Sequence, residues 1–178
     1  MQLEAGLHFR NVLTPRERLY SIDHMRKKTV GLTLAFCALA VAFGFAADPE
    51  MGTWKLNDSK SKIAPGMPKN HTVVYEAAGD NVKITVDGID KDGKATHNEW
   101  TGKYDGKDYP VTGDPNSDMR SYTKVDANTL KFTVKQNGKT TVTGKVVISA
   151  DGKSRTVTVH GTDAEGKKFK SVAVYDKQ

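Results

Sequence analysis

From His71 to the C-terminus the chain is cut at nearly regular intervals by turn residues that readily take positive φ. These are Gly79-Asp80, Asp92-Gly93, Asp105-Gly106, Asn128 with its neighbours, Asn137-Gly138, Asp151-Gly152 and Glu165-Gly166. Nothing between them reads as a helix of even three turns. The segments read instead as strands: His71 to Ala78, Asn81 to Ile89, Ala95 to Tyr104, Asp108 to Thr112, Asp118 to Asp126, Thr129 to Gln136, Thr140 to Ala150, Lys153 to Thr162 and Lys167 to Asp176. Gly52 to Asn57 adds one more in front, with Trp54 and Leu56 alternating against Thr53, Lys55 and Asn57. Alternation is clearest at Val82, Ile84 and Val86, at Leu130, Phe132 and Val134, at Val142, Val146 and Ile148, and at Val157 and Val159. Each set marks the dry face of a strand whose other face carries Lys and Thr, as in an antiparallel sheet with one side in water.

Sequential hairpins without helical crossovers make a meander, and a meander of short strands protects its edges best by closing. The expected fold class is therefore all-β, an antiparallel up-and-down barrel of about 8–10 strands. Between the first strand and the rest, Asp58 to Asn70 carries Pro65-Gly66 and Pro68 and reads as a loop or strap.

The first quarter of the chain has a different composition. Met25-Arg26-Lys27-Lys28 is a basic start, Val30 to Phe45 an apolar run, and Gly44-Phe45-Ala46 before Ala47-Asp48-Pro49 offers small residues at a cut. Residues 25–46 are expected to be a secretory signal peptide, residues 1–24 an upstream extension without a fold of its own, and residues 47–178 the barrel domain. Residues 1–24 as a long n-region, or the apolar run as an uncleaved anchor, are the alternatives. Cys37 is the only cysteine and lies in the apolar run, so no disulfide staples the domain. Leu34-Ala35-Phe36-Cys37 is a poor lipidation site because Phe36 is too large. The expected location is periplasmic or secreted.

From Ala47 onward there are about 21 Lys and Arg against about 18 Asp and Glu, so much of the whole-chain charge of +6 lies upstream. Lys and Asp are scattered through the turns without a basic stripe and interleaved aromatics, which gives nucleic-acid binding no support. The domain is expected to be a monomer that stays off the membrane once the signal is removed.

Gly52-Thr53-Trp54-Lys55-Leu56 resembles the opening strand of lipocalins and fatty-acid-binding proteins, the calycin group of up-and-down barrels, in which the tryptophan plugs the closed end. Ser171-Val172-Ala173-Val174-Tyr175-Asp176-Lys177 is similar to the closing strand of the intracellular fatty-acid-binding proteins, whose tyrosine points into the cavity. The chain also resembles small exported bacterial proteins described as lipocalin-like. Two departures limit what this implies. The strap is too short and too rich in Pro for a helical lid, and Ala173 stands where a carboxylate-binding arginine would be, so a fatty-acid site is not carried over.

After Ala47 the chain has two Leu and two Phe while Val and Thr abound. Slender side chains fill a barrel poorly, which favours a cavity over a barrel flattened into a packed sandwich. Trp100, Tyr104, Tyr109 and Tyr122, with Arg120 nearby, combine amphipathic rings with one guanidinium, as a mouth for a small amphipathic molecule would. Girdle aromatics of the wall would explain the same residues. With Trp54 and Tyr175 they make the candidate ligand-binding set.

No metal or cofactor is implied. His71, His97 and His160 fall on three separate strands, and Asp90-x-Asp92-Gly93 with Glu99 reads as a hairpin turn and a strand glutamate because a calcium loop of that spacing needs flanking helices. No nucleophile with its base and no pair of carboxylates with split roles is present in the sequence, so an enzyme is not expected. The expected function is an exported carrier or sensor of a small, mostly apolar molecule. The alternative is a protein-binding barrel, such as a protease inhibitor, acting through an arm from Ala47 to Glu50 or the loop Ile63 to Asn70.

Overall fold

The structure, a computed structural model, describes residues 48–162 and 166–178. The expected extension and signal peptide, with Cys37 and the cut after Ala46, lie outside the described residues. The strands are β1 (Gly52–Leu56), β2 (Lys69–Ala78), β3 (Asn81–Ile89), β4 (Ala95–Gly102), β5 (Tyr109–Thr112), β6 (Met119–Asp126), β7 (Thr129–Gln136), β8 (Lys139–Ile148), β9 (Ser154–Thr162) and β10 (Lys168–Lys177). Each pairs antiparallel with the next, and β1 also pairs with β10, so the ten strands form a closed barrel.

Among the described residues the turns form where the dipeptides foretell them. At Asn137-Gly138 both residues have positive φ, 50° and 74°, the conformation whose twist matches the flanking strands of a two-residue hairpin. β4 ends at Gly102, two residues before the expected Tyr104. A Cβ on Gly102 would lie 2.6 Å from the Tyr109 ring and 2.7 Å from that of Trp100, so those rings cover the backbone where the chain passes into the 103–108 loop.

The strap completes the seam. After a 3₁₀ turn over Asp58–Lys60, capped by the Asn57 side chain, Lys62 bridges to Val172 of β10 and the Ala64 N–H donates to Ser171 Oγ at 2.9 Å. The strap thus continues along β10 where β1 stops.

Register sets the interior. Leu130, Val146, Val157 and Ala173 face one another across β7 to β10, and Val73, Val86 and Asn98 do so across β2 to β4. Three pairings set an aromatic residue opposite glycine, Tyr75 opposite Gly52, Phe132 opposite Gly144 and Phe169 opposite Gly161, and in the last two the ring covers the glycine. The tip of each of these two phenyl rings lies over its glycine, 2.2 Å and 2.6 Å from where a Cβ would be. Glycine there lets the wall bend and the ring cover the backbone.

Candidate functional site

The meander gives the barrel two unlike ends. One carries the segment before β1, the β2–β3, β6–β7 and β8–β9 turns and the 103–108 loop; the other carries the strap, the β3–β4 and β7–β8 turns and the 113–118 loop.

The first end is a sealed floor. Trp54 is fully buried, and its indole N–H donates to Glu50 O at 2.7 Å. The Arg155 guanidinium lies 4.9 Å from the Trp54 ring, 4.9 Å from that of Tyr75 and 4.7 Å from that of Tyr175, an aromatic cage around one cation. Lys177 covers Trp54 further, at 5.2 Å, while its ammonium donates to Pro49 O. The Tyr175 hydroxyl donates to Asn70 O at 3.0 Å, and burial pushes its pKa up to about 12. Lys124 reaches from β6 to Asp48 and Glu50, whose carboxyl burial pushes above its ordinary range. Asp48 to Glu50 is therefore docked on the floor and not held out as an arm.

Above the floor lies an aromatic wall. Trp100 stacks on Tyr104 at 6.4 Å and meets Tyr122 edge-on at 4.7 Å and Tyr109 at 5.8 Å; Tyr122 continues to Phe132 at 5.5 Å. The four expected rings do come together as wall packing on the floor side, with Trp100 and Tyr122 in the core and Tyr104 and Tyr109 partly buried against it. Burial pushes the Tyr122 phenol up to about 12 and that of Tyr104 up as well. The Tyr104 hydroxyl is buried and has no hydrogen-bond partner among the described residues. Tyr104→Phe should therefore raise stability by about 1 kcal/mol, since it removes an unsatisfied polar group and keeps the ring. A urea titration checks this, and a lowered midpoint would mean that the hydroxyl has a partner in solution.

Arg120 adjoins those rings: it stands opposite Tyr109 across β5 and β6, its carbonyl accepts the Trp100 indole N–H at 2.8 Å, and its guanidinium acts on the Tyr122 phenol. It is the second residue of β6, entering from the 113–118 loop, and is only 8% exposed. Its Nη2 is 3.5 Å from both Asn98 Oδ1 and Asp114 Oδ2, and its Nε has no partner among the described residues. Asp114 is already engaged within its loop, accepting from Ser117 Oγ at 2.6 Å and from the Asn116 N–H. The guanidinium is thus loosely held beside the open half of the interior. That half is lined by Val134, Val142, Val157, Val159 and Phe169, which register turns inward but which are only half-buried, unlike the core residues below them.

Of the expected set, Trp54 and Tyr175 belong to the floor and Trp100, Tyr104, Tyr109 and Tyr122 to the wall, while Arg120 borders both, opposite Tyr109 on one side and Val134 of the open half on the other. Two features went unremarked in the sequence. Arg155 is in phase with Val157 and Val159, so alternation alone places it on the dry face. Phe132 and Phe169 each face a glycine only after β7 and β8, or β9 and β10, are put in register. His97 lies on the outer wall, 2.7 Å from Asp87, and His160 stands outside between Thr143 and Lys170.

No protein-family model and no curated protein matches this sequence. Among solved structures, it is similar to EF1p2_mFAP2b bound to DFHBI, with a TM-score of 0.43 and 13% identity over 75% of this chain and 97% of that one. It is similar to the redesigned β-barrel mFAP1 bound to DFHBI, with a TM-score of 0.40 and 15% identity over 75% of this chain and 100% of that one. Lobster apocrustacyanin A1 gives 0.41 and 14% over 75% of this chain and 63% of that one. At these scores and identities neither a family nor a function passes from them to this protein.

Proposed function

We propose that this protein is an exported, non-catalytic barrel that holds one small, mostly apolar molecule in the open half of its interior, as a carrier or sensor. One observation carries the proposal: inward-facing Val134, Val142, Val157, Val159 and Phe169 stay half-buried although they point into the barrel. Eight strands enclose an interior that side chains can just fill or that holds one small ligand, and ten enclose more. Here the large side chains are spent on the floor and wall, which leaves the opposite half to slender valines. Arg120 adds a polar contact at the edge of that surface, the combination of apolar lining and few oriented polar groups that small-molecule sites use.

The test is native mass spectrometry of the protein recovered from its source cells, followed by denaturation and identification of what is released. A stoichiometric apolar molecule is the expected result. In parallel, Val159→Trp, which fills the open half opposite Gly144 and Ser171, should abolish uptake of a fluorescent apolar probe with little change in melting temperature. Protein that arrives empty, together with probe uptake that this substitution leaves intact, would overturn the proposal.

A further inference from the structure

The outer wall of the barrel is unevenly charged. On β2, β3 and β4 opposite charges face one another: Glu76 opposes Lys83 and Asp87 opposes His97, with Lys83 2.6 Å from Glu99. β7, β8 and β9 contain no Asp or Glu. There Lys131 stands directly opposite Lys145, flanked by the inward pairs Leu130 with Val146 and Phe132 with Gly144, so both ammonium groups are on the outside. In the neighbouring row Thr133 opposes Thr143, Thr143 opposes His160, and His160 opposes Lys170. Lys131, Lys145 and Lys170 are exposed and make no ion pair among the described residues. Lys135, at the border with the 103–108 loop, is the exception, paired with Asp108 at 2.6 Å.

Like charges directly opposite each other destabilise a sheet, so this arrangement does not serve the fold. The same wall carries the three large apolar side chains exposed among the described residues, Met119 at 39%, Val125 at 51% and Val147 at 39%. Val147 is two residues beyond Lys145 on the same face, Val125 is the exposed, unpaired residue of the β6 irregularity between Lys124 and Asp126, and Met119 opposes Lys135.

We infer that the outer wall of β6 to β10 is a docking surface for the anionic headgroups of a membrane. Lysines near such a surface gain affinity without needing individual partners. Apolar side chains set among them can enter the headgroup layer while the ammonium groups stay at its surface. A linear polyanion would use the lysines but give Met119, Val125 and Val147 nothing to bury against. Docking by this wall leaves the interior and its open end uncovered, so it stands whether or not the barrel holds a ligand.

The experiment is co-sedimentation of the protein with phosphatidylglycerol–phosphatidylcholine vesicles and with pure phosphatidylcholine vesicles, at low and at high salt. An apolar segment retained upstream would raise binding to both kinds alike and drops out of their ratio. Preference for the anionic vesicles, weakening with salt, is expected. The double variant Lys131→Glu/Lys145→Glu should lose that preference by at least about twentyfold, because each lysine is worth roughly fivefold in affinity. The charge-matched variant Lys91→Glu/Lys103→Glu, in the β3–β4 turn and the 103–108 loop, should retain it. Lys145→Glu alone sets opposite charges across the pair, so it should raise the melting temperature while still losing several-fold of the preference, a loss that failure to fold cannot mimic. Equal binding to both vesicles, equal loss in the charge-matched variant, or retention on heparin without vesicle binding would each overturn the inference.

Discussion

Replacing Trp54 with alanine is expected to lower the free energy of unfolding by about 3–5 kcal/mol, the range for large-to-small changes of a buried aromatic. The measurement is the urea midpoint, provided the slope is unchanged. The expected loss is large because the ring does three things at once. It fills the end of the barrel at 0% exposure, it donates the 2.7 Å hydrogen bond that ties the Glu50 backbone to the floor, and it covers Arg155. Without it a buried guanidinium loses one of its three aromatic faces, and Nε and Nη1 of Arg155 have no hydrogen-bond partner among the described residues to offset that. Trp54→Phe keeps a ring under the cation and removes the N–H, so its loss should be nearer to about 1 kcal/mol. An alanine variant with the midpoint of the parent would show that the floor does not hold the barrel together.

The second large effect is expected at Gly144, where alanine should lower stability by about 1–3 kcal/mol through overpacking. The added Cβ would come within 2.2 Å of Phe132 Cζ, and the ring cannot retreat freely because Tyr122 lies 5.5 Å away on its other side. Gly138→Ala is the informative comparison. Gly138 has φ of 74° and open space around it, so alanine there meets only backbone strain and should lose about 1–2 kcal/mol, none of it recoverable by trimming a neighbouring ring. Combining Gly144→Ala with Phe132→Leu should recover part of the loss, which strain of the backbone alone would not allow. Equal losses at the two glycines, with no recovery in the double variant, would show that the Phe132 ring is not what demands glycine in β8.

Much of the fold is legible in the sequence for a local reason. Turn dipeptides and period-two alternation act over a few residues, so strand number, strand order and the dry face of each strand follow without knowledge of neighbours. The strand ends are less legible: β4 stops at Gly102, two residues short of Tyr104, and the Tyr109 ring that covers Gly102 comes from the next strand. The candidate site is legible in its parts and not in its arrangement. Trp100, Tyr104, Tyr109 and Tyr122 stand close together in the chain and do gather, with Arg120 opposite Tyr109, yet the stagger between strands puts the rings in the wall and leaves Arg120 at its border with Val134 of the open half.

The lysines show the same limit more sharply. Along the chain Lys131, Lys145 and Lys170 are separated by 14 and 25 positions and read as ordinary wet-face residues. Closing the sheet sets the first two side by side and brings the third next to His160. The sequence alone determines that this chain makes a strand-only meander with a tryptophan in its first strand, because turn chemistry and alternation are properties of neighbouring residues. Only the tertiary structure decides which end is sealed, where the interior stays open and which wall carries unbalanced charge, because those depend on the register between strands, and register is set by how side chains meet across the closed sheet.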